Sequence, residues 1–380
     1  MNGRVFLAIT LIAIIAMSLF ALILHFTVKL SSNSGIITHM SFVPDGSKLV
    51  VCQGELREDG CAESCEIMLY DCATWKVDVR MGKDVLLNAP QTVGYLRKRA
   101  GFITITRRPP VNKGGAPFYF PFPAFFSSAY AAPAPLGPHE IIEWDYQGKV
   151  QRRALLTPRA LPHLDVLDEV TDIAISHDDK ILAAGSSSAL VVRRGLKHLR
   201  AGAASWAIEL ATWKHAWSLD KGYPQVKPNW EGTLCLCCRT SVPPPFQTAI
   251  KPDLEPAVRV IEFGSGKQKA ELDTRTLKPL LVAYWGHHDK VLLLTESRKL
   301  VLLTGQLTYE KDLVDTGLVG NPIELLTDAK GNLIVLADDR RLEIYSTKTW
   351  RAEYTWQVSD LEQITACACS PDGRYVAWAT

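Results

Sequence analysis

The sequence predicts an all-β fold of repeated four-stranded antiparallel units behind one apolar helix, and three features predict it. A charge-free apolar run occupies the N-terminus, a hairpin pattern recurs along the rest of the chain, and a second strand-turn-strand element follows most hairpins. The chain has 380 residues, enough for two average domains or one large β-architecture. Its 42 Lys+Arg against 40 Asp+Glu leave a formal charge of +2, so no global field recruits nucleic acid and none is expected as a partner. An apolar share of 47% with 22% charged residues can fill a core, which excludes a disordered chain. Nine cysteines are too dilute for a disulfide-built scaffold.

The apolar run, residues 5–28, reads VFLAITLIAIIAMSLFALILHFTV without a charge. As a helix it rises about 36 Å, enough to cross a hydrocarbon layer of about 30 Å. Secretory signals have a shorter apolar core and a small-residue cleavage site, whereas Phe20, Leu22, Leu24 and Phe26 continue to the end here. An uncleaved transmembrane signal-anchor is therefore expected, between a tail at 1–4 and a linker at 29–35. Arg4 and the α-amino group outweigh Lys29, which keeps the N-terminus cytoplasmic and the remainder extracytoplasmic: periplasmic in a bacterium, lumenal or extracellular otherwise.

The hairpins are HMSFVPDGSKLVVC from His39, DIAISHDDKILAAG from Asp172, QVKPNWEGTLCLCC from Gln225, VAYWGHHDKVLLLT from Val282, ELLTDAKGNLIVLA from Glu324 and ACACSPDGRYVAWA from Ala366. Asp, Asn and Gly tolerate the positive φ that closes such turns. The sixth residue past each turn is small: Cys52, Gly185, Cys238, Thr295, Ala337 and Ala379. Such a column suits close approach of neighbouring sheets. The second element reads YDCATWK from Tyr70, WDYQGK from Trp144, LATWK from Leu210, GSGK from Gly264 and STKTWR from Ser346. The last three hairpin turns lie about 42 residues apart, the length of one propeller blade.

Taken together, SPDGRYVAWA at Ser370, YDCATWK at Tyr70 and WDYQGK at Trp144 resemble the degenerate WD-repeat (WD40-like, YVTN-type) β-propeller superfamily over residues 36–380. The resemblance implies a seven-bladed β-propeller of six complete blades plus a partial one, truncated or irregularly closed at its end.

Departures from the repeat cluster between the second and third strands of the first four blades, at 53–66, 109–139, 186–205 and 239–257. In a propeller these loops share one face, the expected site of protein binding or assembly. The longest holds Phe118, Tyr119, Phe120, Phe122, Phe125, Phe126 and Tyr130, which are costly to leave in water and suit a protein partner or a membrane interface. The third holds Arg193, Arg194, Lys197 and Arg200, suited to anionic lipid or an acidic partner. Because the first blade begins near Ile36 on this face and 29–35 spans at most roughly 25 Å, the loop-bearing face is expected toward the bilayer. Cys61 and Cys65 are a candidate disulfide outside the cytoplasm, or a weak metal half-site inside it.

No histidine pair has zinc spacing, no phosphate loop or G-x-S-x-G elbow occurs, and no cofactor or metal is expected. The expected function is a noncatalytic, membrane-tethered scaffold for an unknown protein partner. The alternative is a propeller enzyme of hydrolase, lyase or dehydrogenase type with its site at the central channel.

Overall fold

The computed structural model describes residues 26–30, 35–56, 62–83, 92–107, 139–156, 168–188, 203–219, 223, 225–239, 257–360 and 362–380. Strand β1 (Phe26–Leu30) precedes the first sheet, formed by β2 (Gly35–Phe42), β3 (Lys48–Leu56), β4 (Ala62–Asp71) and β5 (Lys76–Met81). The second sheet holds β6 (Val93–Leu96), β7 (Gly101–Arg107), β8 (His139–Asp145) and β9 (Val150–Leu156), and the third β10 (Asp168–Ile175), β11 (Ile181–Ser188), β12 (Ala203–Glu209) and β13 (His215–Ser218). The fourth holds β14 (Gln225–Pro228), β15 (Leu234–Arg239), β16 (Ala257–Glu262) and β17 (Gln268–Glu271), and the fifth β18 (Pro279–Tyr284), β19 (Lys290–Thr295), β20 (Lys299–Thr304) and β21 (Tyr309–Asp315). The sixth holds β22 (Pro322–Thr327), β23 (Leu333–Asp338), β24 (Arg341–Ser346) and β25 (Arg351–Gln357). The chain continues into β26 (Ala366–Cys369) and β27 (Tyr375–Ala379). Each of the six sheets is a four-stranded meander, so the all-β propeller and its six blades stand as expected.

The first strands pack side by side around a channel, β6 beside β10, β10 beside β14, β18 beside β22 and β22 beside β26. β26 also packs against β2, which brings the end of the chain back to its first sheet. A three-stranded sheet in the order β1-β27-β26 fills that place. β1 pairs in parallel with β27, from Phe26 opposite Tyr375 to Leu30 opposite Ala379. The expected transmembrane helix over 5–28 and linker over 29–35 therefore differ from the structure at 26–30, where FTVKL forms a strand. Its aromatic and β-branched residues favour a pleated strand once an edge is offered. Residues 5–25 lie outside the described residues, and among the described residues no helix is long and apolar enough to cross a membrane.

Side chains of neighbouring sheets interleave in seven apolar clusters, one for each gap around the ring. Val50, Ile67 and Leu69 of the first sheet meet Phe102, Ile142 and Trp144 of the second, and Met40, Leu49 and Val51 meet Ala368 and Ala377 across the closing gap. Each fully buried Leu or Ile in these gaps contributes about 1.5–3 kcal/mol. The small-residue column proves to sit opposite the channel-side positions: Cys52 pairs with His39, Gly185 with Asp172, Cys238 with Gln225 and Ala337 with Glu324.

The hairpin turns all lie at one end of the ring, and several bond to their neighbours. His177 N–H donates to Gly232 O at 3.0 Å, His287 N–H to Ala329 O at 2.8 Å, and Ala329 N–H to Pro371 O at 2.8 Å. The turns between third and fourth strands lie at this same end, where the recurrent tryptophan shows its purpose. Trp75, Trp213 and Trp350 adopt φ of 55°, 58° and 54°, a left-handed geometry usually left to glycine, as at Gly266 in the fourth sheet. Each ring reaches the preceding sheet: Trp75 stands edge-on to Tyr375 at 5.1 Å, Arg152 lies over Trp213 at 5.0 Å, and Trp350 meets Trp285 at 5.7 Å. The packing outweighs the backbone strain. Trp350→Ala, which keeps the strain and loses the ring, should destabilise by about 3 kcal/mol in chemical denaturation, and Trp350→Gly by about 1 kcal/mol less.

Candidate functional site

Two places in this frame bear on function: the loop-bearing face and the channel. At the end away from the turns, the links from second to third strand in the first four sheets run through 57–61, 108–138, 189–202 and 240–256, none of which lies within the described residues. In the fifth and sixth sheets the same links are tight, Glu296–Arg298 and Asp339–Arg340. The three long connections thus belong to consecutive sheets, the second to the fourth, and share one face with the five-residue link of the first. Phe118, Tyr119, Phe120, Phe122, Phe125, Phe126, Tyr130, Arg193, Arg194, Lys197, Arg200 and Cys61 all lie outside the described residues.

Parts of the expected loops are strand instead. Gln53 pairs with Glu66, Gly54 with Cys65 and Leu56 with Ala62, so the first-sheet hairpin continues well into 53–66. Ser186 and Ser187 pair with Ala204 and Ala203 in the same way. Backbone pairing sustains these extensions although their small and polar side chains carry no apolar signal. Cys65 is buried, packed with Val50, Cys52 and Ile67.

In the channel the first strands bring together charges that look unrelated in sequence. Register shifts at Ile37/His39, Val170/Asp172 and Pro322/Glu324 mark bulges just before three of these positions. A bulge re-aims the next side chain. The skipped Thr38 and Thr171 donate to Cys52 O and Gly185 O, both at 3.3 Å. Lys227 on β14 places its ammonium 3.3 Å from Asp172 on β10 and 3.3 Å from Glu324 on β22. The second contact passes over the fifth sheet, whose residues at this level, Pro279 to Leu281, carry no charge. Asp172 is 6% exposed and also accepts from Thr92 Oγ1 at 3.4 Å and Val226 N–H at 3.1 Å. One carboxylate therefore ties the second, third and fourth sheets.

Burial opposes the Lys227 charge, but Asp172 and Glu324 outweigh it and raise its pKa. Burial raises Glu324 against the pull of Lys227, with Asp172 adding to the rise. Burial, assisted by Lys227, lowers His39 from 6.5 to about 3. Its Nε2 lies 3.0 Å from Ser41 Oγ, which stands 2.6 Å from the Tyr95 hydroxyl. This His-Ser contact has the outline of a nucleophilic pair, but an imidazole of so low a pKa is too weak a base to activate the hydroxyl near neutrality. A lysine held protonated between two carboxylates is likewise no nucleophile. Among the described residues no group of three His, Cys, Asp or Glu side chains has metal-binding geometry.

A cavity of about 300 Å³ lies elsewhere, on the second sheet, lined by Arg99, Glu143, Trp144, Asp145 and Arg152 among others. Glu143 is clamped at 2.6 Å by Arg99 and 2.7 Å by Arg152, and Arg152 donates to Leu210 O of the third sheet at 3.1 Å. Its charges are engaged in holding two blades together.

No family model and no curated protein matches the sequence. Among solved structures 1336 chains match, a breadth that points to a widely used architecture. One of these, Kuenenia stuttgartiensis Hydrazine Synthase, aligns with TM-score 0.54 at 13% identity, over 92% of this chain and 96% of that one. The likeness is one of fold. At such identity the channel and loop residues of this chain stand by their own chemistry.

The channel cluster eluded sequence reading, although a signal existed. Asp172 and Glu324 each stand as a charge among apolar and β-branched neighbours directly opposite the small-residue column, and Lys227 is the one charge of its first strand, two residues past the corresponding position. Lys227→Met leaves two carboxylates facing each other, and with a third of the lysine side chain accessible the cost should be about 2–3 kcal/mol in denaturation at neutral pH. That cost should shrink at low pH as Glu324 takes a proton. For His39, the unfolded chain binds a proton below 6.5 while the folded chain does not until about 3. Acidification through that window should destabilise by up to about 1.4 kcal/mol per pH unit, and His39→Gln should flatten the dependence in thermal melts across pH.

Proposed function

We propose that the chain is a noncatalytic, membrane-tethered β-propeller that holds a protein partner on the loop-bearing face of its first four sheets. The observation that carries the reading is asymmetry: one end is made of tight turns, several of them bonded to their neighbours, and the other emits three long connections from the second, third and fourth sheets beside a five-residue link in the first. The channel charges support it, since Lys227 offsets the carboxylates it touches and His39 is a poor base. The three-stranded sheet is read as a partial seventh blade, and the turn sequences as those of a degenerate WD-like repeat. The tether is residues 5–25, still about 32 Å as a helix once β1 is set aside. Arg4 keeps the N-terminus cytoplasmic and the propeller extracytoplasmic.

A second reading, chemistry in the channel, has one observation in its favour: Asp172 and Glu324 converge within 3.3 Å of a single ammonium. Crosslinking in native membranes decides between them. Deleting 109–139 should remove the principal crosslinked protein while the melting temperature stays that of the intact chain; an unchanged set of crosslinked proteins contradicts the binding role of this face.

A further inference from the structure

The ring's turn-bearing end, opposite the long loops, carries two independent features that point to a lipid surface. The first is chain direction. β27 runs away from the turn at Pro371–Arg374, and β1 lies parallel to it with Phe26 opposite Tyr375. The chain therefore enters the ring at the turn end and leaves β1 at the loop end, where β2 starts. The apolar run, 5–28, overlaps the start of this strand, so no spacer separates them. The expectation from sequence, which had the anchor arriving at the loop face through a linker at 29–35, had the opposite direction of entry.

The second feature is the tryptophans. Five of the chain's ten, Trp75, Trp213, Trp230, Trp285 and Trp350, stand on turns at this end, half-buried. The other five stand within strands, and four of those are buried. Tryptophan with its apolar body packed and its edge exposed is the side chain favoured at a membrane–water boundary. Acidic groups on these turns are partly offset by neighbouring bases, Asp178 with Lys180 at 2.9 Å and Asp372 with Arg374 at 2.5 Å. Lys98 and Lys330 extend from the same turns, exposed, with no ion pair among the described residues.

We infer that the turn-bearing face rests against the bilayer, its tryptophans at headgroup level, and that the loop-bearing face with 109–139 points away from the membrane. This rests on the tether proposed above. It makes the aromatic loop a partner-facing element and removes the lipid role considered for it.

The native fluorophores test it, because residues 1–28, 109–139, 189–202 and 240–256 contain no tryptophan. The full chain is reconstituted in phosphatidylcholine vesicles, either ordinary or brominated near the headgroup end of the acyl chains, and its flotation is measured first. A floating chain should lose tryptophan emission in the brominated vesicles. Trp230→Phe and Trp350→Phe should each reduce that loss, and Val319→Trp, placed on the exposed opposite face, should add emission that bromine leaves unquenched. Equal wild-type emission in both vesicle types from a chain that floats overturns the orientation and leaves the tether standing. Failure to float overturns both.

Discussion

The closure of the ring governs everything else in this protein. Six four-stranded sheets packed face to face still leave two exposed faces unless something fills the remaining gap. Here β26 and β27 come from the end of the chain, with β1 from its beginning paired to their edge, and the apolar side chains of β26 and β27 complete the clusters against the sixth and first sheets. The parallel register of β1 on β27 fixes more than stability. It sets the side on which the N-terminal segment meets the ring, and so the relation between the apolar run and the two faces.

Those faces differ in kind because an antiparallel meander puts two tight turns at one end of each sheet and its long options at the other. At the turn end, backbone bonds between neighbouring turns and three tryptophans in left-handed geometry lock most of the sheets to a neighbour. At the loop end the first four sheets carry the chain's irregular sequence. Between the faces, the Lys227 ammonium reaches from the fourth sheet to the third and the sixth, so the channel is crossed by charge pairing as well as rimmed by strands. Partly accessible ion pairs of this kind add specificity of register more than net stability.

The repeat was legible because each blade must solve the same local problem. Gly46, Gly232, Gly331 and Gly373 close hairpins with positive φ, and small residues must stand opposite the crowded channel positions, so both leave a trace in sequence. Three things were not legible for physical reasons. FTVKL at 26–30 begins inside the charge-free apolar run, and only the edge of β27, hundreds of residues away, makes it a strand. The hairpin extensions at 53–56 and 186–188 are held by backbone bonds that small and polar side chains do not announce. The charges at Asp172, Lys227 and Glu324 acquire meaning only when curvature brings distant strands together.

The pairing of β1 with β27 is the claim on which closure, entry side and membrane orientation all depend. Hydrogen exchange of the full chain in its membrane or detergent environment reads it directly. The account predicts that amides within residues 26–30 are protected to a degree comparable with those of Tyr375–Ala379 and open together with them as denaturant is added. Exchange of 26–30 at the rate of an unstructured peptide, with Tyr375–Ala379 still protected, would contradict it.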